Sequence, residues 1–281
     1  MTTRISFDQT GFSTFTQALA PLRKRFKPVE AAVENPQEDL VDPVPDTGLN
    51  ELLNKFNYIP PQTAFLGVCE DGQPVLFDLT DHQVGPLLIM GDPGSGKTAL
   101  LKVLVQSAVA INSPSEINYI VFSQKPQDWQ DLTREGLRTG HCLAETIKEP
   151  DATAEWLMNL SDMVEKRYNG KELSAPILVI LDDLRFVLGA DTSIRLNLEW
   201  LLKIGPAMHI WPAVTLRTAD ALSMGRWTSQ FRTRFLGHMS NEGVNRLGLF
   251  NGLDTEKLAP GKQFAIHVQQ DWLTFKLPEL S

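Results

Sequence analysis

Two kinds of pattern alternate along the chain. Short unbroken apolar runs at Leu87 to Met90, Ile117 to Phe122, Pro176 to Leu181, Ile210 to Thr215 and Phe235 to Met239 read as strands buried on both faces. Between them lie stretches with helical period. Ala99 to Ile111 is apolar almost all round; residues 152–168 put Trp156, Leu157, Leu160, Met163, Val164 and Tyr168 on one face; Ile194, Leu198, Leu201 and Leu202 repeat at the same spacing. Strand and helix in alternation predict an α/β fold, with a mostly parallel sheet, right-handed crossovers and flanking helices. A hairpin is predicted on either side: Ala64 to Asp78 turns at Glu70-Asp71-Gly72, and Gln263 to Val268 with Trp272 to Leu277 flank Gln269-Gln270-Asp271. A short helix is expected from Leu49 to Phe56.

Composition changes the picture at the N-terminal side. Residues 1–27 carry Phe7, Phe12, Phe15 and Phe26 and end in Arg23-Lys24-Arg25-Phe26-Lys27, which reads as an arm. Residues 28–48 set Pro28, Pro36, Pro43 and Pro45 among six acidic residues, a stiff acidic linker. Residues 49–281 then form the domain. The net charge of −8 argues against a protein that coats nucleic acid with its whole surface, and leaves a local basic patch open. Cys69 and Cys142 are far apart, with no CxxC and no His at ligand spacing, so neither zinc nor a disulfide framework is indicated. With no signal pattern and no apolar run of spanning length, the expectation is a cytoplasmic protein without membrane insertion.

The candidate chemistry begins at Gly91-Asp92-Pro93-Gly94-Ser95-Gly96-Lys97-Thr98-Ala99, between the first apolar run and the first helical stretch. This is the strand, phosphate loop and helix order of a nucleoside triphosphate site. The glycines let backbone N–H groups turn inward around phosphates, Lys97 reaches the β- and γ-phosphates, and the Thr98 hydroxyl ligates Mg²⁺. The bland alternative, a chance match in a glycine turn, is weakened by the apolar strand before it and the apolar helix after it. Downstream, the apolar run ending in Asp182-Asp183 has the form of a Walker B element: Asp182 for the metal, Asp183 for the attacking water, or Asp183 as a helix N-cap.

These residues resemble the FtsK/SpoIIIE branch of the FtsK/HerA motor ATPases, from about Phe65 to Leu277. The likeness rests on Leu66-Gly67, Asp71-Gly-Gln-Pro-Val and Phe77-Asp-Leu79 ahead of the loop, on Pro86 to Thr98 itself, on Ile120 to Pro126, on Met163 to Tyr168, and on Asp254 to Gly261 with the closing hairpin. The resemblance implies a RecA-like core, hydrolysis of ATP with Mg²⁺ at subunit boundaries, a hexameric ring of copies of the chain, and a polymer substrate: double-stranded DNA or, in secretion-associated relatives, a protein. Three departures stand out. Asp183 replaces the usual Glu, Leu216 replaces the Gln of a Thr-Gln-Arg sensor at Thr215-Leu216-Arg217, and the membrane-spanning and DNA-reading segments of full-length chromosome translocases are not seen.

Such rings use an arginine from a neighbouring subunit against charge developing on the γ-phosphate. Residues 217–234 hold Arg217, Arg226, Arg232 and Arg234 against one acid, Asp220, with Arg234 and Arg217 as the candidates. A nucleic-acid surface or plain solvated arginines are the other readings of that block. His209, His238, Trp156, Trp200 and Trp211 read as packed rather than functional. Two functions follow: an ATP-hydrolysing motor, or a nucleotide-binding interaction module with weak or absent turnover. A small-molecule kinase fits poorly, because no arginine-rich lid closely follows the loop.

Overall fold

In a computed structural model of the chain, the described residues are 47–56, 59–171, 174–188, 192–240, 253–268 and 271–280. The arm and nearly all of the linker expected over residues 1–48 lie outside them. The described chain starts with helix α1 (Leu49–Lys55) and a hairpin of β1 (Thr63–Cys69) and β2 (Pro74–Asp78). The turn forms where Glu70-Asp71-Gly72 place it: Gly72 N–H donates to Cys69 O at 2.9 Å, and Gln73 N–H to Asp71 Oδ1 at 3.0 Å.

Strand β3 (Leu87–Gly91) leads into α2 (Lys97–Ile111), and β4 (Asn118–Ser123) into a one-turn 3₁₀ segment (Pro126–Asp128) and α3 (Gln130–Thr139). Then follow α4 (Pro150–Tyr168), β5 (Ile177–Asp182), α5 (Leu184–Leu188), α6 (Thr192–Ile204) and β6 (Ile210–Arg217). After the short helices α7 (Thr218–Ala221) and α8 (Gly225–Thr228), strand β7 (Thr233–Leu236) precedes the closing hairpin of β8 (Gln263–Val268) and β9 (Asp271–Lys276).

Among the described residues, nine strands form one sheet in the order β2-β1-β9-β8-β7-β3-β6-β5-β4. Its parallel part is β7-β3-β6-β5-β4, the doubly wound half that carries the crossover helices. The other half departs from a mostly parallel sheet: both hairpins join it edge to edge and antiparallel, β7 to β8 and β9 to β1. The approach of β1 to β9 needs a glycine, since a Cβ on Gly67 would run into the carbonyl of Lys276.

Alternation along the central strands splits the core into two layers. Leu87, Ile89, Ile180 and Ala213 face α2, whereas Leu88, Met90, Leu181, Val214 and Leu216 face α4, α5 and α6. All five residues of β3 are buried, and each fully buried side chain of this size stabilises by roughly 1.5–3 kcal/mol. Asn112 ties the far end of α2 to the first hairpin: its amide donates to Thr63 O at 3.1 Å, and its oxygen accepts from Gln62 N–H at 2.6 Å. Arg167 does the same for α4, donating to Met208 O and Ala175 O, both at 2.8 Å.

Two expected core residues lie outside the core. Tyr168 is the last residue of α4, where the helix has run past the sheet, and is 70% exposed. Trp200 follows the exposed Leu196 by one turn on the outer face of α6 and is 44% exposed. Trp211 is fully buried, edge-on to Phe77 at 5.6 Å, and Trp156 is half-buried against the α4 layer. No described helix is long and apolar enough to cross a membrane.

Candidate active site

The C-terminal ends of the parallel strands bring the predicted residues together, as open α/β sheets do for their ligands. Strand β3 ends at Gly91, where a Cβ would strike the Ser95 hydroxyl. The loop then needs positive φ at Gly94 (+83°) and Gly96 (+89°) before α2 begins at Lys97. Pro93 and Gly94 are exposed, Ser95 is buried, and Ala99 is half-buried in the first turn. Gly96, as N-cap, has no side chain to satisfy the first-turn N–H groups, so the positive end of a 15-residue helix opens toward the loop.

Lys97 bends back over this cradle. Its ammonium donates to Gly91 O at 2.9 Å, Asp92 O at 2.8 Å and Ser95 Oγ at 3.3 Å. Burial pushes the Lys97 ammonium below its ordinary pKa, with Asp182 and Asp92 pulling the other way. A buried cation whose counter-charges do not fully offset its desolvation suits an incoming anion, and together with the open N–H groups this fits a phosphate chain.

Asp182, the last residue of β5, is the centre of the polar network. Thr98 Oγ1 donates to its Oδ2 at 2.9 Å, Trp129 Nε1 to the same oxygen at 3.3 Å, and Thr215 Oγ1 to Oδ1 at 2.7 Å. The predicted metal pair, Thr98 and Asp182, is thus in direct contact. It offers hydroxyl and carboxylate oxygens only, and the described residues contain no group of three or more His, Cys, Asp or Glu that could hold a metal. Such a donor set suits Mg²⁺, which is held by few protein oxygens together with water and substrate phosphates.

Asp183 turns away from Asp182. Its Oδ1 accepts from Phe186 N–H at 3.1 Å, capping α5, so the N-cap reading holds for that oxygen. Its Oδ2 lies 4.0 Å from Arg217 Nε. Asp183 also lines a cleft of about 580 Å³ with Gln124, Lys125, Thr153, Arg185 and Arg217. Asp220 holds the two arginines there, Arg217 Nε at 2.8 Å and Arg185 Nη1 at 2.9 Å. Arg234 sits elsewhere. From β7, opposite Leu88, its guanidinium donates to Thr228 O at 3.0 Å and Phe231 O at 3.3 Å, closing the turn after α8. Arg217, by contrast, is paired in register with Gly91 at the end of β3, and its charge acts against that of Lys97.

Leu216 stands in sequence at the place of a missing polar sensor. The side chain is fully buried in the layer facing α4 to α6, on the opposite face of β6 from Thr215. The polar group that β6 brings to the site is Thr215, one residue earlier, and its signal was its alternation with buried Val214 and Leu216. Trp129 was missed altogether, because nothing in its local pattern distinguishes a core indole from one aimed at a carboxylate. Also missed was the bracing of the loop from behind. Asp92 N–H donates to His238 O at 3.0 Å, Ser240 N–H donates to Asp92 Oδ2 at 2.9 Å, and a Cβ on Gly96 would come within 2.7 Å of Gly261 Cα. His238 itself faces Leu258 O through Nδ1 at 3.1 Å.

Comparison with known proteins agrees with this geometry. A model of the FtsK/SpoIIIE family matches residues 59–174. Among solved structures, Thermomonospora curvata EccC (ATPases 2 and 3), in complex with a signal sequence peptide, superposes with a TM-score of 0.63 at 15% identity, over 78% of this chain and 40% of that one. The pCW3 conjugation coupling protein TcpA, in a monomer form with ATPgS, gives 0.64 at 18% identity, over 80% of this chain and 68% of TcpA. In sequence, the magnesium-chelatase subunit ChlI of Cyanidium caldarium is 38% identical over 52 residues, which is 18% of this chain and 15% of ChlI. At these identities the structural matches establish the fold alone, that of RecA-like P-loop domains.

Proposed function

We propose, from the match of residues 59–174 to the FtsK/SpoIIIE family model, that the chain is a member of that family and that it binds and hydrolyses ATP with Mg²⁺ in a ring of like subunits that moves a polymer. The observation that carries the reading is the 2.9 Å contact between Thr98 Oγ1 and Asp182 Oδ2 at the mouth of α2. The two residues are far apart in sequence, and a P-loop threonine has reason to meet a strand-end carboxylate where a hydrated divalent cation is to be held.

The roles follow from position. The N–H groups of the Gly91 to Ala99 loop and Lys97 bind the triphosphate; Thr98 and Asp182 orient around the cation; Asp183, facing the cleft through Oδ2, aligns the water. Magnesium bound there supplies charge neutralisation for the phosphates. Completion of the site falls to a neighbouring copy, which would present an arginine from the 217–234 block, Arg217 or Arg234, to the γ-phosphate. The polymer is proposed from the relatives alone. EccC was solved with a signal sequence peptide and TcpA is a conjugation coupling protein, so protein and double-stranded DNA are the two candidates for a cytoplasmic motor of this kind.

A second reading, a nucleotide-binding module with slow turnover, draws on one observation. Arg217 and Arg234 are both engaged within their own chain, with Asp220 and with the carbonyls of Thr228 and Phe231. ATPase rate measured against protein concentration, beside native mass measurement with a non-hydrolysed ATP analogue, separates the two. A motor completed in trans gives a specific activity that climbs with assembly, and double-stranded DNA or a candidate protein substrate raises it further. A module gives binding and assembly with a flat, low rate.

A further inference from the structure

We infer that Trp129 is a positioning residue for the metal end of the site, holding Asp182 by a hydrogen bond that can run in one direction only. The inference rests on the magnesium and ATP reading above. Trp129 is fully buried and belongs to the core layer that contains Leu101 and Leu104 of α2. Its place is set by the chain just after β4. Asp128 N–H donates to Lys125 O and Trp129 N–H to Pro126 O, each at 3.0 Å, and Thr133 N–H then donates to Trp129 O at 2.9 Å as α3 begins. The 3₁₀ turn therefore delivers the indole to the end of β5, where Ser123 and Asp182 are paired in register. Lys102 of α2 lies over the ring, its Nζ 6.0 Å from the centroid.

Three elements thus converge on one carboxylate: α2 through Thr98, β6 through Thr215 and the turn after β4 through Trp129. They are not equivalent. A hydroxyl can donate, accept or ligate a cation, so Thr98 changes partners when a cation arrives. An indole N–H only donates and has no lone pair to offer. With the Thr98 oxygen engaged elsewhere, Trp129 becomes the donor that stays on Oδ2 and fixes which lone pair of that oxygen remains for cation-bound water. The ring also fills the space beside Oδ2 and excludes water there. Partners of this kind, one step removed from a metal, change metal affinity by roughly 10- to 100-fold when lost.

Trp129→Phe keeps most of the ring and removes the donor. Because a buried tryptophan can also matter for folding, Trp129→3-benzothienylalanine, which replaces the N–H by sulfur in a bicycle of nearly the same shape, serves as the second variant. Binding of a non-hydrolysed ATP analogue is titrated against magnesium. The magnesium concentration for half-maximal enhancement of binding is expected to rise about tenfold in both variants, with magnesium-free binding within about twofold of the unchanged protein. A fall in thermal stability with the same magnesium midpoint as the unchanged protein in the benzothienyl variant would make Trp129 a packing residue and overturn the inference. No magnesium-dependent binding in the unchanged protein would instead overturn the reading of the site on which it rests.

Discussion

Thr215 donates from its hydroxyl to Oδ1 of Asp182 at 2.7 Å, from a position with no solvent exposure. The contact joins the two strands adjacent to each other in the centre of the parallel sheet and leaves Oδ2 to Thr98 and Trp129. Replacing the hydroxyl by a methyl, Thr215→Val, preserves the β-branched shape and strips Oδ1 of its donor. ATP turnover is expected to fall about tenfold, the equivalent of losing a hydrogen bond to a charged group, ~1.5 kcal/mol. Fold stability, followed by denaturant unfolding, should fall by about 1–3 kcal/mol, because Oδ1 of a half-buried carboxylate loses its donor.

Asp183 serves two ends with two oxygens, and the two can be separated. Asp183→Asn retains an oxygen that can accept from Phe186 N–H, so α5 keeps its cap while the charge facing Arg217 is lost. Turnover should drop at least a hundredfold with melting behaviour unchanged. Asp183→Ala removes the cap as well, and should lose a further ~1 kcal/mol of stability. Equal destabilisation by both variants, with turnover intact in the first, would leave Asp183 with a structural role alone.

Gly94 and Gly96 share the left-handed conformation and differ in their surroundings. A Cβ on Gly94 meets nothing within 4 Å, whereas one on Gly96 comes 2.7 Å from Gly261 Cα. Gly94→Ala should therefore cost only the conformational term, about 1–2 kcal/mol. Gly96→Ala adds a collision between two backbones, for roughly 3 kcal/mol or more, and should displace the Gly261 turn from the loop. Hydrogen exchange over residues 258–263 in the two variants distinguishes them.

Burial works to raise the Asp92 carboxyl, but hydrogen bonding to the Ser240 backbone N–H and to the Thr218 and Ser240 side chains, with a smaller pull from His238, outweighs it and holds the group below the ordinary 3.8. A carboxyl whose folded pKa is depressed contributes stability above its unfolded value and loses it as pH falls through the folded one. Asp92→Asn should thus be less stable than the parent at pH 6, and the gap should close as the pH falls below 3.8. Paired unfolding curves across that window test the sign.

Much of this was legible in the sequence, for reasons specific to each element. The unbroken apolar runs of β3, β5 and β6 come from burial on both faces, which only an α/β sheet provides, and the glycines at 91, 94 and 96 mark the conformations of the loop between β3 and α2. Asp182 and Thr98 could be paired because strand ends and phosphate loops share one edge of such a sheet. What was not legible depends on long-range packing. Trp129 reads as any core indole until the turn after β4 aims it, and Leu216 looked like a lost polar group until the pleat of β6 put its side chain in the far layer. Trp200 kept helical spacing with Leu201 and Leu202 nearby, yet its angle on α6 places it outside. Arg234 differs again: four arginines spread from the end of β6 to β7 give no hint in sequence of which is tied to nearby backbone carbonyls.

The most direct test of the account is magnesium-dependent hydrolysis of ATP by the purified chain at concentrations that span its assembly, set beside Lys97→Ala and Asp182→Asn. Steady phosphate release that requires magnesium, grows with protein concentration and falls at least a hundredfold in both variants is the expected result. Nucleotide binding and turnover that are the same in all three proteins, or that do not depend on magnesium, would contradict it.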